Sequence, residues 1–572
     1  MFPFLRKQAD AQAASKGNQP AVLFKTAIRI RSRASHNATE GVPWIWVCAG
    51  ALVTILLLIA ALFGVIISQA TSALWPHSVV RIQQDQQTVI GVAMRQEEGT
   101  DPQTNERQMR RLVYQANRDF GINEFTFIPS AKLAGAERPA SLWFVERREW
   151  GPFIGRIQTA DPATAIDIDE KTVSNLVNEA AMRAAELRKI EKGPLADLNA
   201  SMEEIRLDKK KIERLLETGK ISEDDAAAKH AELDKQLTES LKSHAFLTEK
   251  VQQLRSVDEA IKVTLLAPNG QSKTIPASQI MRAYQPNSIN IIQRMGLFFG
   301  RLWSFVSEEP REANTEGGVF PALFGTVAMT ILMTLFVLPV GVMTAVYMRE
   351  IAKQGFLVSL VRIAVNNLAG VPSIVYGVFG VGFFCYSVGA TIDQLFFQDK
   401  LPNPTFGTGG VLWASLTLAL LTVPVVIVST EEALTAVPRS LREASYGCGA
   451  TRMQTLWNIV LPKAMPGVMT GLILAMARAV GEVAPLLMTG VVKLAPALPV
   501  DTHFPFIHLE RSFMHLGFHI YDLGFQSRST ELSRPMVFAS TSLLVAIVLF
   551  LNFIAIKIRS ELRKRFEGRG AF

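Results

Sequence analysis

Cysteine is scarce in this 572-residue chain, which has Cys48, Cys385 and Cys448 and no others. Two fall in long apolar runs and one in a loop, which excludes a disulfide framework or a cysteine-rich metal site. Charge is also thin, at 19% of residues against 49% apolar, a balance too poor in charge for one soluble domain. The sequence contains no G-x-x-x-x-G-K-[ST] loop that would cradle nucleotide phosphates, so the chain itself is expected to bind no cofactor. Internal repeats and low-complexity tracts are missing too. The hydrophilic part lacks a nucleophile, metal or acid/base cluster, which argues against an enzyme. The formal net charge of +8 comes from basic residues flanking apolar runs, with no aromatic-interleaved patch of the kind that binds nucleic acid.

What the chain does have is apolar runs long enough to cross a bilayer. Six spans are predicted: Trp44 to Ala70, Val319 to Met348, Phe356 to Gly389, Val411 to Val428, Pro466 to Val491 and Pro535 to Ile558. The first is far longer than a secretory h-region and follows a tail of some forty residues, so it reads as a retained anchor. Lys and Arg gather in the N-terminal tail (Arg6, Lys7, Lys16, Lys25, Arg29, Arg31, Arg33) and in the C-terminal one (Lys557, Arg559, Arg563, Lys564, Arg565, Arg569). By the positive-inside rule both ends are cytoplasmic, as an even number of crossings requires. The expected organisation is a cytoplasmic tail (1–42), a first membrane helix (43–70), an outer domain (71–316), a five-helix core (317–560) with an inner loop (429–464), and a cytoplasmic tail (561–572).

Within the outer domain, alternating runs such as Glu124 to Ile128 and Ser141 to Val145 predict strands of a small α/β unit. Apolar residues at three-and-four spacing (Leu198, Met202, Ile205, Ile212, Leu216, then Leu233, Leu237, Leu241, Val251, Leu254) flank a turn at Gly219. They predict an antiparallel coiled hairpin over about 194–258. A β-hairpin around Asn269-Gly270 and an amphipathic helix from Ile289 to Val306, lying near the bilayer, follow.

The run from Glu443 to Pro462, EASYGCGATRMQTLWNIVLP, lies between two spans. Gly449 breaks one helical turn and Pro462 is expected to end the segment, leaving a short helix across the membrane face with one edge exposed. In the fifth span, Arg478 and Glu482 stand four apart, which puts both on one helix face. Each would cost several kcal/mol facing lipid, so they face protein, water or substrate. The residues alone leave open a pathway role or an ion pair that locks the helix to its neighbour. Arg362, with Asn366 and Asn367, adds a polar cluster early in the third span, and arginines suit an oxyanion because the guanidinium fork matches its oxygens.

The spacing of Glu443, Ala444, Ser445, Gly449, Ile459, Leu461 and Pro462 resembles the EAA loop of ABC-importer permeases. The stretch Glu431 to Leu487, with GGVFPALFGT (Gly317 to Thr326) and LAGVPSIVYGVFG (Leu368 to Gly380), resembles the PstA-type permeases of bacterial phosphate importers, over about 260 residues from Gly317 onward. Two departures, Val483 within GEVAP and Cys448 within GCGA, keep the anchor glutamate and glycine. The resemblance implies a mainly α, MetI-like type I permease of six membrane helices in the bacterial inner membrane. It implies that Glu443, Ala444, Gly449, Ile459, Leu461 and Pro462 couple to a cytoplasmic ABC ATPase dimer that uses the ATP. Arg478 and Glu482 match the family's ARAxGE segment, implicated in phosphate passage, and Arg362 matches a charged position near the start of the third span. A homologous second permease, a periplasmic phosphate-binding protein, phosphate and the lipid bilayer are the implied partners. The alternatives are a permease for sulfate or molybdate, and a membrane signalling or scaffold protein coupled to an ATPase. The resemblance does not extend to the outer domain.

Overall fold

The computed structural model describes residues 42–84, 87–100, 107–159, 169–501, 506–527 and 529–567. The basic N-terminal tail and Arg569 therefore lie outside the described residues. The chain divides into two units at Ser68/Gln69. Of the first, the described part is the length of helix α1 (Val42–Leu74) up to that boundary. It carries no charged residue, and Trp44, Leu57 and Leu58 are exposed, as on a lipid-facing helix.

Among the described residues, six helices are long and apolar enough to cross a membrane: Trp44–Leu74, Phe320–Ile351, Ser373–Phe396, Val411–Ala436, Arg452–Gly481 and Thr530–Arg565. The third differs from expectation. Phe356–Leu368 is a separate helix, and the span starts afresh at Ser373 beyond Gly370 and Pro372. A proline cannot continue a helix and pushes the residue before it out of the α region, which explains the break. The fifth span stops at Gly481 rather than Val491, with Glu482 in extended backbone ahead of Pro485.

The helices that build the core are α6 (Phe320–Val346), α7 (Phe356–Leu368), α8 (the Ser373–Phe396 span), α9 (Val411–Ala436), α11 (Leu461–Gly481) and α12 (Thr530–Glu567), with α10 (Arg439–Gly447) in the inner loop. Helix α9 is the central one, with Ala414, Leu418, Leu421 and Val426 buried against Met329, Met333 and Val337 of α6. Small residues set the approach. A Cβ on Gly341 would meet Val426 at 2.6 Å, one on Gly467 would meet Ala433 at 2.4 Å, and one on Gly471 would meet Ser429 at 1.6 Å. Without a hydrophobic drive in lipid, such close backbone contact is a main source of helix association.

The outer part is built of antiparallel sheets. Strands β1 (Val79–Gln84), β2 (Gln87–Thr100), β3 (Arg107–Tyr114) and β4 (Phe125–Pro129) form one sheet in that order. Strands β5 (Trp143–Arg147), β6 (Phe153–Thr159), β7 (Lys262–Leu266), β8 (Ser272–Pro276) and β9 (Ile280–Tyr284) form a second, in the order β8-β7-β6-β5-β9. The expected β-hairpin is β7–β8, with Gly270 at φ 82° in its turn, a backbone state that suits glycine. Between β6 and β7 the chain runs out through α2 (Glu170–Lys192), α3 (Pro194–Glu217) and α4 (Glu223–Ala260). Sequence spacing anticipates α3 and α4 as the hairpin but not α2, which packs on both and on the second sheet through Val173 and Val177. The Ser222 side chain caps α4 by accepting from the Asp225 amide at 3.2 Å. The helical projection is thus an insertion between neighbouring strands of one sheet.

Helix α5 (Ile291–Ser307) follows β9. Its cations turn inward, with Arg301 on Glu146 at 2.6 Å and Arg294 on the Pro286 carbonyl at 2.7 Å. Ile291, Ile292, Phe299 and Trp303 stay exposed.

Candidate functional site

Two ion pairs inside the membrane half, and one exposed inner loop, carry the candidate chemistry. Arg478 sits in the last turn of α11, and its Nε lies 3.5 Å from Glu482 Oε1. The expectation that both ride one helix face needs correction, because Glu482 caps the helix from extended backbone and reaches back to Arg478. The Arg478 side chain is 37% exposed in the isolated chain and lies within electrostatic reach of Tyr376 from α8. A guanidinium so exposed within an apolar span can exchange its partner for a passing anion.

Arg362 lies on α7, not in the third span proper, and donates to Glu431 of α9 at 3.1 and 3.3 Å. Glu431, which the sequence reading left without a role, is therefore the carboxylate that holds it. The pair borders a 530 Å³ cavity lined also by Arg349, Asn366, Glu432 and Thr435. The two arginines are not brought together. The contacts of Gly467 with Ala433 and Gly471 with Ser429 set α9 and α11 antiparallel, so Glu431 lies level with residue 469. Arg478 is nine residues further along α11, about 13 Å at 1.5 Å per residue. The arrangement is two cationic stations at different depths.

The inner loop folds as α10, a break, and a short helix Arg452–Thr455 that runs through Leu456–Val460 into α11. Gly449 supplies the break at φ 84°, as its position predicts. Pro462 does not end the segment, since the helix runs through it from Arg452 to Gly481, with the wide turn of Leu456–Val460 just before it. Ile459 and Leu461 accordingly belong to the inner end of the fifth span. The two short helices are joined by Ser445 Oγ and Thr455 Oγ1 at 2.9 Å, and Arg442 ties the loop to Glu350 at 2.9 Å. Glu443, Ala444 and Gly449 are exposed. Exposed with them are Tyr446, Met453 and Trp457, large apolar side chains at the end of a span, which make a face fit to enter a protein cleft. No loop-motif position marks these three; their size on an otherwise polar loop is the signal that finds them.

Within the stretch 71–316, buried charges are paired. Burial opposes ionisation of Glu146, but Arg301 and Arg282 outweigh it and hold its carboxyl below the usual range. The same holds for Asp119, where burial is overcome by Arg147 and Lys273 at 2.9 and 3.0 Å. Glu316 is the exception, pushed up to about 7 by burial. Among the described residues no group of His, Cys, Asp and Glu could hold a metal ion.

The described residues hold six helices long and apolar enough to cross a membrane, an exposed loop between two of them and arginines paired beside apolar spans. Residues 337–564 match the family described as binding-protein-dependent transport system inner membrane component. The PstA phosphate transport system permease protein of Mycobacterium leprae is 40% identical over 172 residues, covering 30% of this chain and 51% of that one. The probable ABC transporter permease YqgH of Bacillus subtilis is 34% identical over 195 residues, covering 34% and 59%. The PstC phosphate permease of Xylella fastidiosa is 30% identical over 205 residues, covering 34% and 63%. The chain spans about half to three-fifths of the length of these relatives. Among solved structures, the inward-facing MetNI methionine transporter aligns over 42% of this chain and 94% of its own at 22% identity, with a TM-score of 0.32. Over the stretch 337–564 this chain resembles binding-protein-dependent transport permeases, PstA-type permeases among them.

Proposed function

We propose that this chain is one of two permease subunits of an ATP-driven phosphate importer of the bacterial inner membrane. The observation that carries the reading is Arg478, a partly exposed guanidinium inside an apolar span of a domain whose relatives include phosphate permeases. In this reading both termini and the inner loop face the cytoplasm. A phosphate-binding protein delivers the ion from outside, and a homologous permease completes the pathway. Cytoplasmic ATPase subunits bind and hydrolyse the ATP, and the face made by Glu443, Ala444, Tyr446, Met453 and Trp457 takes up their closure. Arg478 attracts phosphate while Glu482 neutralises the cation between passages, so the ion is held weakly enough to leave. Arg362 and Glu431 form the second station, nearer the inner side.

The test is phosphate uptake by a permease-deletion strain complemented with this chain. Arg478→Ala should lower uptake at equal abundance, by up to about a thousandfold where the full attraction of about 4 kcal/mol at contact, for an effective dielectric near 20, is lost. Glu482→Gln should slow release, so uptake falls while retention rises. Restored transport in Arg478→Glu/Glu482→Arg would overturn the pathway role, because a structural lock tolerates reversal and an anion path does not. Uptake of sulfate or molybdate in place of phosphate would change the substrate. No anion uptake at all, with ATPase coupling intact, would favour a signalling protein.

A further inference from the structure

Helix α5 is built the wrong way round for a helix in water. Both of its charged residues turn into the protein: Arg301 donates to Glu146 of β5 at 2.6 Å and to the Tyr284 hydroxyl of β9 at 2.5 Å, and Arg294 donates to the Pro286 carbonyl at 2.7 Å. The second sheet therefore covers the charged side. Ile291, Ile292, Met295, Phe299, Leu302 and Trp303 are exposed, Ile292 by 80% and Trp303 by 73%. At about 100° per residue these six fall within an arc of about 120°, on the side turned away from the sheet. Single exposed apolar residues are ordinary, but a continuous face of large ones marks a contact surface.

The ends of three candidate spans fix what that face meets. Where the first span ends, the Leu74 carbonyl accepts from Arg301 at 3.3 Å, and the Pro76 carbonyl just beyond it accepts from Arg294 at 3.1 Å. Where the second span begins, the Val319 amide donates to the Phe305 carbonyl at 2.8 Å and the Phe320 amide to the Glu308 carbonyl at 3.1 Å. Phe305 is buried with Ala322 of α6 and with Ala539 and Ile547 of α12, the last span. The chain leaves the apolar spans at Leu74 and re-enters them at Phe320, so both points belong to one membrane face. A helix bonded to both lies at the rim of the bilayer, the depth at which tryptophans such as Trp303 concentrate.

We infer that α5 lies in the lipid surface at the membrane face from which residues 71–316 leave, with its six apolar side chains among the acyl chains and the outer domain resting on its other side. Interfacial helices usually add an attraction between their cations and anionic lipid. Here the protein engages both cations, so apolar burial alone holds the helix and lipid charge should not matter. The inference rests on the spans crossing a membrane and not on the ion carried. The experiment uses the full chain with Cys48, Cys385 and Cys448 replaced by serine, in phosphatidylcholine nanodiscs, with a nitroxide on Trp303→Cys, Phe299→Cys or Ile292→Cys. Leu57→Cys on α1 is the lipid reference and Lys242→Cys on α4 the water reference. All five side chains are exposed, so each variant should melt with its cysteine-free parent. The ratio of collisions with oxygen, which enriches in lipid, to collisions with a water-soluble nickel chelate should shift at the three α5 positions toward the Leu57 value. Added phosphatidylglycerol should leave the ratios unchanged. Ratios like that of Lys242 would place the face in water and overturn the inference. So would shielding from both reagents, which means a protein partner covers it, or a shift that appears only with phosphatidylglycerol.

Discussion

At the scale of single residues, the half-buried carboxyl of Glu316 gives the clearest handle on the junction between outer domain and core. Its folded pKa of about 7 lies above the ordinary 4.5, and desolvation is the main cause. Folded protein therefore binds the proton more tightly than unfolded protein does. The associated stability is fully present below about pH 4.5 and is lost as pH rises through 7, by at most about 3 kcal/mol. Melting temperature in detergent should fall across that window, and Glu316→Gln should flatten the fall; an unchanged slope in the variant would show that another group titrates. Legibility in the sequence was uneven at this scale. Arg478 and Glu482 stand out because charge is costly in an apolar run, but Glu431, the partner of Arg362, sits 69 positions away at the end of another span. No periodicity connects residues that meet only when helices pack.

At the scale of elements, the inner loop tests coupling. Gly449 is exposed and a Cβ there meets nothing within 4 Å, so a side chain can leave toward solvent; its left-handed backbone makes Gly449→Trp strained, by about 1–2 kcal/mol. The variant should insert and accumulate yet lose ATP-driven uptake in membrane vesicles, and normal uptake would sink the docking role. The projection offers a second test. Its apolar stripes predict helices that bury each other, which suggests independence from the core. Arg214 at the end of α3 nevertheless reaches Asp399 at 3.1 Å and Gln398 at 2.9 Å, in the loop that follows the third span. A surface pair like this adds under about 1 kcal/mol, so its removal should barely change stability. Proximity is the better readout: Arg214→Cys with Asp399→Cys, in a background without the native cysteines, should join under a short thiol cross-linker, and failure to join would separate the tip from the core. Helix and strand positions were largely legible because periods of 3.6 and 2 are local. The closure of β6 against β7 was not, since the two are separated by 102 residues, from Thr159 to Lys262.

At the scale of the whole molecule, the proposed orientation makes a prediction with native chemistry. Cys448 is exposed on the inner loop, and Lys242 is exposed on α4. In spheroplasts, a membrane-impermeant maleimide should label Lys242→Cys at once and reach Cys448 only after the membrane is opened; early labelling of Cys448 would invert the topology. The attachment of the projection has a consequence of its own. It leaves the sheet at Thr159 and returns at Val263, residues paired across adjacent strands. To the sheet, the three helices are a hairpin loop whose ends stand one strand spacing apart, about 5 Å. Loop closure grows only logarithmically with length, so the sheet tolerates a longer projection provided α2, whose Val173 and Val177 are buried in its core, is kept. The far turn at Gly219, between α3 and α4, is a socket: a reporter domain whose termini lie side by side can be grafted there, giving a fluorescent marker outside the membrane without redesign of the strands.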